Sequence, residues 1–184
     1  LLCCLNATVH AAEQRIIALA PHITEMLYAI GAGDSVVGVS DYSDYPIPAT
    51  TLPRVASYAG INLEAVLALK PDLVIAWRSG NPAADITRLQ QLGIKVAFSD
   101  PLTLDDIGAE LRLIGQLSGY PEQGEQQALM QQIMQELGPK MEAVVKQLVE
   151  SENISMIVDA KSVMMAKPEN DLTPKVTELL NKAK

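Results

Sequence analysis

Beyond Cys3 and Cys4 the 184-residue chain has no cysteine, so its body offers no thiol for a disulfide, a zinc cluster or a catalytic nucleophile. Histidine is equally scarce. His10 and His22 are the only two, which leaves a Ser-His-Asp triad a single ring in the predicted mature chain and denies a metal site its usual ligands. Basic runs are absent, and a formal charge of −8 with a pI near 4.7 argues against a nucleic-acid partner. No later apolar run approaches the roughly 20 residues of a membrane span. Neither G-x-x-x-x-G-K-[ST], H-E-x-x-H nor G-x-S-x-G occurs, and the glycines of GAGDSVVG follow a predicted helix and not a strand. These absences exclude most nucleotide-dependent and hydrolytic readings and leave no cofactor or metal site to assign.

What is present suits a folded, exported chain: 48% of residues are apolar and 20% charged. Residues 1–12 read as a signal-peptide remnant, with Val9-His10-Ala11 as a small-x-small cleavage site, so the periplasm is the expected compartment. The charged start of such a peptide is missing. A lipoprotein site would need a small residue before the modified cysteine, and Leu2 or Cys3 fits poorly.

From Arg15 the pattern alternates. Arg15–Ala20 is an apolar run stopped by Pro21, and Ile23–Ile30 follows at helical spacing; Ser35–Ser40 is a second apolar run. The segment DYSDYPIPATTLPRVASYAG is turn-rich and reads as a functional loop. Asn62 caps a predicted helix closed by Pro71, and Asp72–Trp77 is an all-apolar strand of the kind that parallel sheets bury. A helix ends at Gly93, Ile94–Phe98 is the next strand, and Thr103 with Asp106 predicts a capped helix reaching about Ser118. The order specifies an α/β fold, an open parallel sheet flanked by helices, over residues 13–120.

At Tyr120 the composition changes: every aromatic lies at or before it, and every methionine but Met26 lies after it. Residues 121–150 predict a long amphipathic helix, kinked or interrupted near Gly138-Pro139. Within 151–184, Ile154–Val158 and Ser162–Ala166 read as a β-hairpin, and Thr173-Pro174 opens a final helix.

In an open parallel sheet, ligands sit beyond the carboxyl ends of strands. Those positions hold Pro21 and His22, then Tyr42 and Tyr45, then Trp77 and Arg78, with Tyr58 in the same loop region. Rigid aromatic faces there could stack on a planar, partly apolar ligand. They could also simply cover the sheet end, and His22 could be a helix-start residue bonded to backbone.

The runs RIIALAPHITEMLYAIGAGDSVVGVSDYSDYP, RVASYAGINLEAVLALKPDLVIAW and TLDDIGAELRLIG closely resemble the amino-terminal lobe of periplasmic cobalamin (vitamin B12)-binding proteins of ABC importers. They belong to the helical-backbone class of substrate-binding proteins, which also carries haem and iron-siderophore binders. The resemblance covers about residues 15–120 and implies two α/β lobes joined by a long helix, with ligand held in the cleft between them. By position it implies that Tyr42 and Tyr58 face a corrin and that Pro21, His22 and Trp77 line the same lobe face. Glu64 would match the carboxylate that docks on the membrane permease; alternatively it is a first-turn acid complementing the helix dipole.

A complete member would continue into a second lobe. Residues 140–184 instead resemble the carboxyl end of the Skp/OmpH periplasmic chaperone family, which implies one binding lobe fused to a foreign tail. The expectation is a truncated, non-catalytic substrate-binding component with a corrinoid ligand and a permease partner. The alternatives are a chaperone-like protein that self-associates through its tail, and a small α/β enzyme.

Overall fold

The computed structural model describes residues 14–152, 154, 157 and 171–182. The predicted apolar runs supply most of a six-stranded sheet: β1 (Ile16–Ala18), β2 (Val36–Ser40), β3 (Arg54–Ser57), β4 (Gly60–Ile61), β5 (Leu73–Trp77) and β6 (Val96–Ser99). Its order is β4-β3-β2-β1-β5-β6, and every pairing is parallel except β3 with β4. The helices are α1 (Pro21–Ala29), α2 (Leu63–Ala68), α3 (Ala83–Gln91), α4 (Asp106–Ser118), α5 (Pro121–Ser151) and α6 (Thr173–Lys182).

The central strands are apolar on both faces because both faces are covered. Ile16, Ala18, Leu73 and Ile75 pack with Ile23 and Leu27 of α1, Leu111 and Ile114 of α4, and Ala128 of α5. Ile17, Leu19, Val74 and Ala76 turn the other way, toward Val66 of α2 and Ile86 and Leu89 of α3. The alternation follows from the two-residue period of a strand.

Gly119, at φ 84°, ends α4 in the left-handed region, and α5 begins two residues later. The two helices meet at a glycine pair. A Cβ on Gly115 would lie 2.7 Å from the Tyr120 carbonyl and 3.0 Å from the Gly124 Cα, and one on Gly124 would lie 2.7 Å from the Leu111 carbonyl. Arg112 spans the same junction with two hydrogen bonds to Glu125, at 2.6 and 3.1 Å.

The chain divides into two compact units between Leu129 and Met130. In the second, Val144 and Leu148 of α5 are buried, and Lys175 pairs with Glu152 at 3.0 Å.

Four sequence expectations need correction. The turn-rich segment is not all loop: it holds a 3-10 turn at Ile47–Thr51 and the β3-β4 hairpin, so the sheet is mixed at one edge. There the Ile61 N–H is taken by the Asp85 carboxylate at 3.1 Å, and Asp85 is paired with Arg88. The predicted Thr103–Asp106 pairing forms, the Asp106 carboxylate accepting from Thr103 N–H, the Thr103 hydroxyl and Leu102 N–H, but it holds those residues in a turn, so regular α4 starts only at Asp106. The α5 helix continues through Pro139, so of the two expected outcomes, kink or interruption, the interruption does not occur: one missing donor among many i to i−4 bonds does not end a helix of 31 residues. Before α6, the Asp171 carboxylate accepts the Thr173 N–H at 2.9 Å, so the cap lies upstream of the predicted Thr173-Pro174 pair. The Asn62 cap is present as predicted, its side-chain oxygen accepting the Ala65 N–H at 3.0 Å. The signal-peptide remnant and, apart from Ile154 and Ile157, the predicted hairpin strands at Ile154–Val158 and Ser162–Ala166 lie outside the described residues.

Candidate functional site

The parallel strands share one carboxyl edge, and the chain leaves it through the predicted site residues. β1 leads into Pro21 and His22, β2 into Tyr42 and Tyr45, β3 into Tyr58, β5 ends on Trp77, and β6 ends on Ser99 before Asp100. The crossovers from β1 and β5 diverge to opposite sides of the sheet, toward β2 and β6. That divergence opens a crevice at the β1/β5 carboxyl ends, where such sheets take ligands.

His22 and Trp77 stand in that crevice. Pro21 opens α1, where its missing N–H costs nothing, and this places His22 in the first turn. The His22 ring meets the Trp77 indole edge to face, with centroids 5.7 Å apart and planes at 83°. Its Nε2 lies 3.4 Å from the Ser99 hydroxyl, a side-chain partner and not the backbone bond that a simple helix-start histidine would make. Burial lowers the His22 pKa from its ordinary 6.5, and the nearby Glu110 and Asp100 carboxylates oppose that shift.

Trp77 is the one exposed residue of an otherwise buried strand, at 39%. Asn81 accepts the Trp77 backbone N–H at 2.7 Å and donates its amide to the Leu19 carbonyl at 3.0 Å. Asp100 receives the Ser79 hydroxyl at 2.6 Å, and that bond is the largest cause of its depressed pKa. Glu110 accepts the Asp100 N–H at 3.3 Å through one oxygen, while its other oxygen is buried without a hydrogen-bond partner.

The tyrosines sit on a braced loop. Arg54 donates to the Ser40 carbonyl at 2.7 Å and to Asp44 at 2.8 Å. Ser43 is buried among the Thr24 and Ser40 hydroxyls at 3.1 Å each. Above this frame Tyr42, at φ 63°, and Tyr45 are exposed at 75% and 69%, and Tyr58, at the hairpin tip, at 95%. None of the three covers the sheet end.

Two predicted residues stand apart. The Arg78 guanidinium lies 4.2 Å from the Phe98 ring centroid, so its head is engaged with β6 and does not join the His22–Trp77 pair. Glu64 is exposed in the first turn of α2, past the far end of β4 from Tyr58. Sequence reasoning missed Asn81, Ser99, Asp100 and Glu110. The strand-end rule that found Trp77 would also have found Ser99 and Asp100, had it been applied to the last strand. Among the described residues no group of three or more His, Cys, Asp or Glu side chains could hold a metal, and no helix is long and apolar enough to cross a membrane.

A family model described as periplasmic binding protein matches residues 16–180. Among curated proteins, the vitamin B12-binding protein of Pectobacterium carotovorum subsp. carotovorum (strain PC1) is 49% identical over 138 residues, covering 75% of this chain and 49% of that protein. The vitamin B12-binding protein of Yersinia pestis (strain Pestoides F) is 49% identical over 128 residues, covering 70% of this chain and 45% of the relative. The solved periplasmic vitamin B12-binding protein of Vibrio cholerae matches with a TM-score of 0.65 at 46% identity, over 70% of this chain and 51% of that one. A periplasmic heme-binding protein from Pseudomonas aeruginosa gives 0.65 at 26% identity, over 73% and 49%. The chain spans about half the length of the curated relatives it matches.

Proposed function

This chain belongs to the periplasmic binding protein family, and on that premise we propose that it is a substrate-binding component of a cobalamin uptake system, taking a corrinoid at the carboxyl edge of its sheet. The observation that carries the reading is the exposed Trp77 indole, fixed against His22 in the crevice between β1 and β5. A corrin ring is broad, roughly planar and largely apolar on its faces. An aromatic surface held at a sheet edge suits it better than a deep, charged pocket. Tyr42 and Tyr58 supply further exposed rings on the same edge, and Pro21 lines it; Arg78 contributes at most through its stem.

On this reading the chain binds and does not catalyse. The corrinoid is cargo, and no resident cofactor is assigned. The partner is an inner-membrane ABC permease, with Glu64 as the docking carboxylate on a surface distinct from the ligand edge. Export through cleavage after Ala11 accompanies the reading, and amino-terminal sequencing of the secreted protein tests it. Association through the tail is a separate proposal, read by sedimentation.

The test of function is a titration of the folded chain with cyanocobalamin, following quenching of its single tryptophan with correction for ligand absorption. Saturable quenching, with binding lost calorimetrically in Trp77→Ala, supports the reading. No saturable change, or saturation by haem alone, overturns the corrinoid assignment.

A further inference from the structure

Trp77 closes β5 and is exposed beyond the core, a position where an indole would ordinarily exchange between staggered rotamers. Here it is restrained from several directions, and two of the restraints come from the residues that follow it.

We propose that Gly80 and Asn81 are positioning residues of the candidate site, which fix the Trp77 indole in one orientation before any ligand arrives. The corrinoid reading supplies only the ligand; the fixation is a property of the free chain.

Asn81 acts on the backbone. Its side-chain oxygen accepts the Trp77 N–H at 2.7 Å, its own N–H donates to the Trp77 carbonyl at 2.9 Å, and its amide nitrogen donates to the Leu19 carbonyl at 3.0 Å. The turn is thereby tied to the end of β1, the strand that leads to His22. A carboxamide is required, because one side chain must accept from an N–H and donate to a carbonyl at the same time. Aspartate keeps the first bond and sets a negative charge against the Leu19 oxygen.

Gly80 acts on the ring. A Cβ at that position would overlap the benzo ring of Trp77, so the indole occupies space that only glycine leaves free. The His22 imidazole meets the same indole edge to face at 5.7 Å. An aromatic immobilised during folding loses no rotamer freedom on binding, and that is the gain of preorganisation.

The experiment uses the full chain with Asn81→Ala, Asn81→Asp and Gly80→Ala, and reads time-resolved fluorescence anisotropy and near-ultraviolet dichroism of Trp77 without ligand. Both alanine variants are expected to free the indole, lowering the slow anisotropy component while far-ultraviolet dichroism stays unchanged, and Asn81→Asp to fall between them and the parent. Cyanocobalamin affinity by calorimetry is expected to drop roughly three- to tenfold in the alanine variants. Gly80 is exposed and supplies no atom to the Asn81 hydrogen bonds, so this variant tests the ring even where Asn81→Ala fails to fold. Parental anisotropy in Gly80→Ala overturns the proposal for the ring, and in a folded Asn81→Ala for the turn. A freed indole with parental affinity overturns the claim that fixation serves binding. Absence of cyanocobalamin binding by the parent chain counts against the ligand reading alone, because the anisotropy still reports on positioning.

Discussion

His22 and Trp77, far apart in the chain, meet edge to face at 5.7 Å because β1 and β5 are neighbours whose carboxyl ends open on the same crevice. The pairing makes the single tryptophan a reporter of the histidine's charge.

His22 therefore gives a pH signature. Burial lowers its pKa below the ordinary 6.5, so the folded chain resists the proton more than the unfolded chain does. Its contribution to stability is complete above about pH 6.5 and declines as the pH falls toward the depressed folded value. Urea midpoints between pH 7.5 and 5 should fall in the parent and flatten in His22→Gln, and Trp77 emission should titrate with a midpoint below that of a free histidine. Parallel slopes in the two proteins would remove His22 as the source. Asp100 and Asp106, whose pKa values are depressed from 3.8 by hydrogen bonds, act only at more acid pH.

Trp77→Ala should weaken cyanocobalamin binding more than His22→Ala does, roughly tenfold or beyond against a few-fold. Calorimetry on both variants measures this directly. Equal losses would mean that indole stacking is not the dominant contact.

Gly124→Ala should destabilise the fold by roughly 1–3 kcal/mol, because the new methyl meets backbone that cannot rotate away. A Cβ there would lie 2.7 Å from the Leu111 carbonyl and 3.0 Å from the Gly115 Cα. A lowered urea midpoint with an unchanged transition slope is the expected result; an unchanged midpoint would show that α4 and α5 can separate without cost.

Glu64→Arg should leave both the urea midpoint and cyanocobalamin affinity within error of the parent, since the side chain is exposed and off the ligand edge. Its effect should fall on binding to the detergent-solubilised permease, read by surface resonance. Unimpaired docking would reduce Glu64 to a helix-dipole acid.

Most of the sheet was legible because buried parallel strands are written as uninterrupted apolar runs: Ile16–Ala18, Val36–Ser40 and Leu73–Trp77 need no partner to be recognised. The strand-end rule then carried Pro21, His22, the tyrosines and Trp77 to one edge. The β3-β4 hairpin was not legible, since its second strand is two residues long and begins on a glycine. Asn81 was missed for a different reason: a small polar residue after a strand looks like turn chemistry, and only the fold reveals that its partner is Leu19, whereas Ser99 and Asp100 stand at the end of β6, within reach of the strand-end rule. Arg78 was placed with Trp77 by adjacency, yet it follows the last residue of β5, and its guanidinium lies over the Phe98 ring of β6.

The carboxylate of Asp85 on the Ile61 N–H bears on how this chain behaves among its own copies. An edge strand is a template for intermolecular pairing wherever its outward amides are open to an incoming strand. β4 is short, its outward amide at Ile61 is occupied by a side chain from α3, and that side chain is itself paired with Arg88. A strand arriving at this border would have to displace a carboxylate before it gained a ladder bond, so the border protects against aggregation.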